Sequence, residues 1–233
     1  MIADFVAKVK VKKSLKEWRF ENESNAYNVE FEIEELYKGE KLSSVYVRSF
    51  SDASCGLVIT ENSEWIIFAY QNSNNLFSTD LCSGSKRIDL LFNESLYPNA
   101  NKNYNLLIDK TLEVLRVFKK FNVSISDKTL ITIYQNNFNE LYNKYDACDY
   151  LGKYALYKVI LNSDLSVKKV EVINGFSKKF DKGLKKIVKQ KAKFMKQIKE
   201  KDGTIMQNRE WLLLISGTKY DNQPCYFNQQ NYL

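Results

Sequence analysis

The chain of 233 residues contains no histidine, and this absence removes a large group of catalytic mechanisms. Cys–His and Ser–His–Asp enzymes both need an imidazole that accepts the proton of the nucleophile. A zinc site is not expected either, because the four cysteines are scattered and contain no Cys-x-x-Cys pair. We therefore predict no catalytic site, no metal and no cofactor, and we expect the protein not to be an enzyme.

Long apolar runs are also missing. No stretch of 18 apolar residues occurs, so no membrane-spanning helix is predicted. The start, MIADFVAKVKVKK, alternates like a strand and lacks the basic and apolar regions of a signal peptide. We expect a native N-terminus that has been trimmed, with the signal sequence not present in this chain. The alternative is a cytosolic protein with a short N-terminus.

The charge is unevenly distributed along the chain. Residues 1–92 hold 11 Lys and Arg against 14 Asp and Glu, and residues 93–150 are balanced. Residues 151–233 hold 17 basic against 7 acidic residues, so the net charge of +7 arises in the last third. Such a bias is able to attract nucleic acid or anionic lipid, although a charge run is more often the solvated face of a helix.

The four cysteines allow two interpretations. An even number fits two disulfides in an oxidising compartment, and four buried thiols are the alternative. Cys148 and Cys225 bracket the C-terminal third, whereas Cys55 and Cys82 flank one strand-rich stretch. The pairing does not follow from the sequence.

Hydrophobic periodicity divides the chain into three parts. Strands are predicted over residues 2–12, 27–36, 45–50, 57–60 and 65–70, with recurrent turn signals that favour a barrel or sandwich. Residues 93–105 have the composition of a linker, and helices are predicted over 106–121 and 128–145. A hairpin over 154–161 and 167–173, an amphipathic helix from Phe180 to Ile198, and a strand over 211–216 follow. The tail beyond Tyr220 is predicted to be irregular.

Two family resemblances accompany this pattern. The first is carried in order by Ala3–Val9, Val29–Gly39, Cys55-Gly56, Trp65–Ala69 and Leu81–Ser83. This set resembles the netrin-like OB barrel of the tissue-inhibitor-of-metalloproteinase superfamily in its bacterial form. The resemblance implies an extracytoplasmic barrel in which Cys55 and Cys82 match two family cysteines. The family's N-terminal Cys-x-Cys, which chelates the protease zinc, does not occur in this sequence.

The second resemblance covers about residues 151–217. It is carried by Leu156–Leu161, the following turn, Ser166–Val172, Gly175 with the helix after it, and Trp211–Ile215. This order is similar to the C-terminal domain of TonB-like proteins. The resemblance implies a small β-β-α-β module that contacts a partner protein by strand addition or at a sheet edge.

The basic segment 178–201 is the most conspicuous motif. Its apolar positions Phe180, Leu184, Ile187, Val188, Met195 and Ile198 form one helical stripe, so we interpret the lysines as the solvated face of that helix. The alternative is contact with an anionic surface through Lys185, Lys186, Lys189 and Lys193. Nucleic-acid binding is disfavoured, since aromatic residues are few in this segment and the barrel carries net negative charge.

Three further motifs are interpreted as structural or as contact residues. Glu30, Glu32 and Glu34 alternate with Val29, Phe31 and Ile33, which is typical of the polar face of a half-buried strand and not of paired catalytic carboxylates. The segment Cys82–Lys86 lacks the spacing of a phosphate-binding loop. In the tail, aromatic side chains are candidate anchors for a partner, and they are Tyr220, Tyr226, Phe227 and Tyr232.

The sequence thus predicts an α+β protein with three parts: an OB-like β-barrel (1–92), a helical connector (93–147) and a C-terminal ββαβ module (148–233). We expect a non-catalytic interaction protein of the bacterial envelope or surface, located in the periplasm, at the outer membrane surface or outside the cell. Its expected partner is a protein, such as a protease or an envelope protein, and no small-molecule substrate is expected. The alternatives are metalloprotease inhibition and peripheral binding of anionic lipid or nucleic acid.

Overall fold

The structure is a computed structural model, and it describes residues 3–15, 26–48, 57–123, 131–135, 138–196, 209–219 and 224–232. The chain divides into two units, Ile2–Asn122 and Val123–Leu233, each of which is described by itself. Strands outnumber helices in the described parts of both units. The predicted α+β class is therefore confirmed.

The first unit is built on a closed barrel. Its described strands are β1 (Phe5–Leu15), β2 (Ala26–Lys38), β3 (Ser44–Arg48), β4 (Glu64–Gln71), β5 (Phe77–Thr79) and β6 (Lys86–Arg87). The first five follow the order β1-β2-β3-β5-β4, and the barrel closes because β1 pairs with β4 as well as with β2. A closed five-stranded barrel is compatible with an OB-like fold, as the sequence predicts.

The barrel core follows from the period of two along β1. Phe5, Ala7, Val9 and Val11 are fully buried, because alternate residues of a strand point to the same face. Fully burying a Val or Phe side chain contributes roughly 1.5–3 kcal/mol, so these strands have a strong driving force to close around one interior. Register shifts along the β1–β2 ladder increase the local twist of β1. This twist helps β1 to pair with β2 on one side and with β4 on the other.

Helix α1 (Ala100–Lys120) covers the outer side of this barrel. Ile108, Leu112 and Leu115 of the helix pack with Val6 of β1 and Ile66 of β4, which point outward from the barrel interior. The Tyr104 hydroxyl also donates a 2.6 Å hydrogen bond to the Arg87 carbonyl. The first helix of the expected connector 93–147 is thus part of the first unit.

Residues 57–60 do not form the predicted strand, although two of their apolar side chains, Leu57 and Ile59, are buried and only Val58 is exposed. Leu57 and Ile59 belong to the barrel core. Their backbone groups bond to a side chain instead of a neighbouring strand: the Tyr27 hydroxyl donates to the Leu57 carbonyl at 3.1 Å, and the Ile59 amide donates to the same hydroxyl at 2.7 Å. A tyrosine from β2 therefore replaces the strand ladder that the apolar pattern predicts.

The second unit contains a four-stranded antiparallel sheet in the order β12-β11-β8-β9. Its strands are β8 (Tyr154–Leu161), β9 (Val167–Asn174), β11 (Arg209–Thr218) and β12 (Tyr226–Tyr232). Helix α3 (Lys178–Lys191) packs on one face through Phe180, Leu184, Ile187 and Val188. The predicted hairpin is confirmed: β8 and β9 pair, and the Asn162 amide donates to the Ser166 carbonyl at 2.8 Å across the turn.

Two helix predictions in this unit are wrong in part. Residues 131–135 form strand β7 (Ile131–Gln135), and only the short helix α2 (Asn139–Tyr142) lies in the described part of the predicted helix 128–145. Helix α3 ends at Lys191, and β10 (Lys193–Lys196) follows and pairs with β7. Met195 therefore belongs to a strand and not to the helical stripe, while Ile198 lies outside the described residues.

The tail is also more regular than predicted. Residues 226–232 form β12 and pair with β11 from Thr218↔Tyr226 to Leu212↔Tyr232. Their polar composition gives no strand signal, but a ladder of main-chain hydrogen bonds to a buried neighbour does not require apolar side chains on an edge strand. Tyr220 lies outside the described residues.

Candidate interaction surfaces

Cys148 and Cys225, two of the candidate disulfide cysteines, are joined in a disulfide with a Cα–Cα distance of 5.3 Å. The two residues are 77 positions apart in the sequence. Cys148 lies in the 3₁₀ turn Ala147–Tyr150, and Cys225 directly precedes β12. The bond thus fixes the start of the edge strand to the turn before β8. Cys82, in the 3₁₀ turn Leu81–Ser83 of the first unit, is also disulfide-bonded, and Cys55 lies outside the described residues.

Aromatic side chains from several elements of the second unit form a cluster around Phe227. The ring of Phe227 lies 4.9 Å from Tyr142, 5.4 Å from Phe180 and 5.6 Å from Tyr150. Ring pairs at these centroid distances stabilise a core beyond the area that they bury. Phe227 is thus part of the unit's packing, and its role as a partner anchor stays a prediction. The Tyr226 side chain in β12 is half-buried.

The first turn of α3 is fixed to the sheet by one carboxylate. The Tyr157 hydroxyl donates to Asp181 Oδ1 at 2.7 Å, and the Phe176 amide donates to the same oxygen at 3.2 Å. Burial, followed by the hydrogen bond to Asp181, raises the pKa of the Tyr157 hydroxyl far above its ordinary value. Ser177 caps the helix, because its side chain accepts a hydrogen bond from the Phe180 amide. The Tyr157–Asp181 pair joins two residues 24 positions apart in the chain, and no local pattern in the sequence predicts it.

The solvent side of α3 carries only lysines among its charged residues. Six of them lie opposite the buried stripe, and they are Lys178, Lys179, Lys182, Lys185, Lys186 and Lys189. We call this set the lysine face. All are exposed except Lys185, which is half-buried. No lysine of this face forms an ion pair with a residue that the structure describes.

The structure brings three of the four predicted contact lysines together and separates the fourth. Lys185, Lys186 and Lys189 belong to the lysine face, whereas Lys193 is the first residue of β10 and is exposed there. Lys191, in the last turn of the helix, is not part of this face and pairs with Glu140 of α2. The predicted interpretation of the apolar stripe as a buried helix face is confirmed for Phe180 to Val188.

The acidic residues of β2 lie on the outside of the barrel, as predicted. Glu30, Glu32 and Glu34 are exposed, while Val29 and Phe31 are buried. Lys8 of β1 bonds to Glu34 at 2.8 Å, and Lys12 of β1 bonds to Glu32 at 2.7 Å. These bonds raise the pKa of Lys8 and lower the pKa of Glu32. Glu32 and Glu34 are thus partners in cross-strand ion pairs.

Strand β9 forms one edge of the four-stranded sheet. Within the described part of the chain it pairs with β8 only. Lys168 and Lys169 at its start are exposed, and the apolar residues Val172 and Ile173 nearer its end are half-buried. An edge of this kind presents main-chain donors and acceptors beside a partly apolar surface.

No group of three or more Cys, Asp or Glu residues among those described is arranged to hold a metal ion. The helices in the same ranges include none that is long and apolar enough to cross a membrane.

Comparison with known proteins leaves the chain without an assigned family: no family model matches it, and no curated protein is significantly similar to it. The first unit is described by its architecture, a closed five-stranded barrel. The second is described by its β-β-α-β order, extended by β12.

Proposed function

We propose that the protein is a non-catalytic binding protein of the bacterial envelope or surface, and that its partner protein adds a strand to the edge of β9. The observation that supports this proposal is the position of β9, an eight-residue strand that pairs with β8 alone among the described residues. Strand addition uses the main-chain groups of such an edge for affinity and the neighbouring side chains for specificity.

The two edges of the sheet differ in ways that favour β9. The other edge is β12, whose start is fixed by the Cys148–Cys225 disulfide and whose Phe227 belongs to the aromatic cluster. At β9, half-buried Ile173 offers apolar contact to an added strand, whereas Val172 packs against the core of its own unit. The exposed Lys168 and Lys169 discourage pairing between copies of the chain, because like charges would meet across that edge.

The proposed location rests on the disulfides. Proteins that fold in reducing compartments rarely keep structural disulfides. Three of the four cysteines, Cys82, Cys148 and Cys225, are disulfide-bonded. The resemblance of residues 151–217 to TonB-like C-terminal domains supports the same location, since those domains act in the envelope and contact other proteins.

The experiment places a photo-crosslinking amino acid at position 168 of β9, with position 41 in the barrel as the matched control; both are exposed lysines in this chain. We expect one discrete adduct with an envelope protein from position 168 and none from position 41. Hydrogen exchange of the purified pair provides the second measurement, with slower exchange at the β9 amides than in the free protein. Equal crosslinking from both positions, or unchanged β9 exchange, would show that β9 is not the binding edge.

A second candidate function is inhibition of a metalloprotease, and the first unit supports it. That unit has a closed five-stranded barrel with Cys82 in a disulfide, as expected from the resemblance to the inhibitor superfamily. The test is titration of zinc metalloproteases against a fluorogenic peptide. Inhibition that is retained when the β9 edge is altered would favour this function, whereas no inhibition at micromolar concentrations of the protein would exclude it.

A further inference from the structure

We infer that the lysine face of α3 binds the surface of a membrane that contains anionic phospholipid, as a contact separate from the protein-binding edge. The lysine face is strongly basic. Its six lysines have no acidic neighbour on the same side of the helix, because Asp181, the only acidic residue of α3, accepts hydrogen bonds from Tyr157 and Phe176. All charged side chains on the exposed side of the helix are therefore positive.

The stability of the helix does not explain these lysines. Lys178 and Lys182, Lys182 and Lys186, and Lys185 and Lys189 are like-charge pairs at the i, i+4 spacing, which destabilises a helix. Lys178 and Lys179 also lie in the first turn, where the helix dipole disfavours a positive charge. An external anionic surface compensates for both effects, since it neutralises the repulsion on binding.

The side chains of α3 restrict the chemistry of the partner. The only aromatic residue of α3, Phe180, is fully buried, so the face offers no platform for stacking of nucleic-acid bases. It also has no exposed apolar anchor of the kind that dominates protein–protein interfaces. The apolar stripe of α3 is buried within its own unit, which restricts the contact to the lipid headgroups and does not permit insertion.

The geometry fits a flat array of headgroups. A helix of 14 residues is about 21 Å long, so its lysines form a row that several lipid headgroups can contact at once. Each lysine near an anionic membrane surface increases the partition constant roughly five-fold. This attraction decays with distance from the surface, over about one Debye length. Neutralising three lysines should therefore weaken binding about 100-fold.

The experiment measures co-sedimentation of the full chain with vesicles of phosphatidylglycerol and phosphatidylcholine in equal parts, and with vesicles of phosphatidylcholine alone. We expect binding to the anionic vesicles at low ionic strength, little binding to the neutral ones, and release at about 1 M salt. The variant with Lys182→Gln, Lys186→Gln and Lys189→Gln should lose about 100-fold in partitioning. Because it removes like-charge repulsion, it should unfold at the same denaturant concentration as the wild type or higher.

The matched control neutralises three exposed lysines of the first unit, with Lys13→Gln, Lys41→Gln and Lys119→Gln. It changes the net charge equally and should lose less than about five-fold, the value of one surface lysine. Three results would overturn the proposal: no binding to the anionic vesicles, equal losses in both variants, or tighter binding of the wild type to a DNA duplex than to the vesicles. The last result would assign the face to nucleic acid instead.

Discussion

The Tyr157 hydroxyl, on the helix-facing side of β8, donates a 2.7 Å hydrogen bond to Asp181 in the first turn of α3. This bond joins the central part of the sheet to the helix that carries the lysine face. It also turns the only acidic side chain of α3 inward, which leaves the exposed side of the helix purely basic. The packing of the unit and the charge of its surface therefore depend on the same pair of residues.

The first prediction concerns the strength of this bond. Tyr157→Phe should lower the free energy of unfolding of the second unit by about 1.5–3 kcal/mol, the usual value for a hydrogen bond to a charged group. Asp181→Asn should cost roughly half as much, because a neutral amide oxygen accepts the same bond more weakly. Urea unfolding at neutral pH measures both. Equal stability of wild type and Tyr157→Phe would contradict the role assigned to the bond.

The same tyrosine makes stability depend on pH. Since the pKa of folded Tyr157 is raised above its unfolded value of about 10, the folded state retains a proton that the unfolded state releases above that pH. The stabilisation is fully present below about pH 10 and is lost as the pH rises towards the folded pKa. Urea unfolding at about pH 8 and about pH 11 should therefore show a smaller decrease for Tyr157→Phe than for the wild type. Identical decreases would contradict this assignment.

The second prediction concerns the Cys148–Cys225 disulfide. The double variant Cys148→Ser and Cys225→Ser should lose roughly 4–5 kcal/mol of unfolding free energy, as expected for a closed loop of 77 positions. Hydrogen exchange followed by mass spectrometry should show faster exchange in β12, which loses its attachment to the turn before β8. Strands β1 and β4 of the first unit serve as the internal control. Unchanged protection of β12 would show that its pairing with β11 is sufficient.

The sequence predicted well those elements whose signal is local. The hairpin of β8 and β9 has a polar turn between two β-rich segments, and both strands lie close to the predicted bounds. The stripe from Phe180 to Val188 correctly predicted the buried side of α3. In the barrel, the alternation along β1 and β2 correctly assigned the buried and exposed residues.

Elements that depend on distant pairing were missed. Strand β10 pairs with β7, about 60 positions earlier in the chain. Phe194 lies seven positions after Ile187, so it continues a helical pattern although its backbone is extended. No glycine or proline marks the end of α3; the chain leaves the helix at Ala192 in an extended conformation. The lysine face was predicted as part of a basic segment. The inward position of Asp181 could not be predicted, because it depends on the contact between α3 and β8 in the folded chain.

The third prediction compares two glycines of the second unit. At Gly217 an added Cβ would lie 2.6 Å from the Ala147 and Tyr150 carbonyl oxygens, which belong to the turn that holds Cys148. Gly217→Ala should therefore cost about 1–3 kcal/mol through displaced backbone. At Gly183 the Cβ would meet only the end of the flexible Leu141 side chain, and alanine gains about 1 kcal/mol of helix propensity. Gly183→Ala should be close to neutral; the opposite ranking in thermal unfolding would contradict this comparison.

The fourth prediction tests the interpretation of the acidic strand β2. Glu34, which bonds to Lys8 on the barrel exterior, is 38% exposed in its side chain, so Glu34→Gln should cost less than about 1 kcal/mol and less still at high salt. Phe31, on the opposite face of the same strand, is 6% exposed and packs against Phe5, so Phe31→Ala should cost about 3–5 kcal/mol. Urea unfolding of the two variants provides the comparison. A loss at Glu34 as large as that at Phe31 would mean that this carboxylate has a role beyond a surface ion pair.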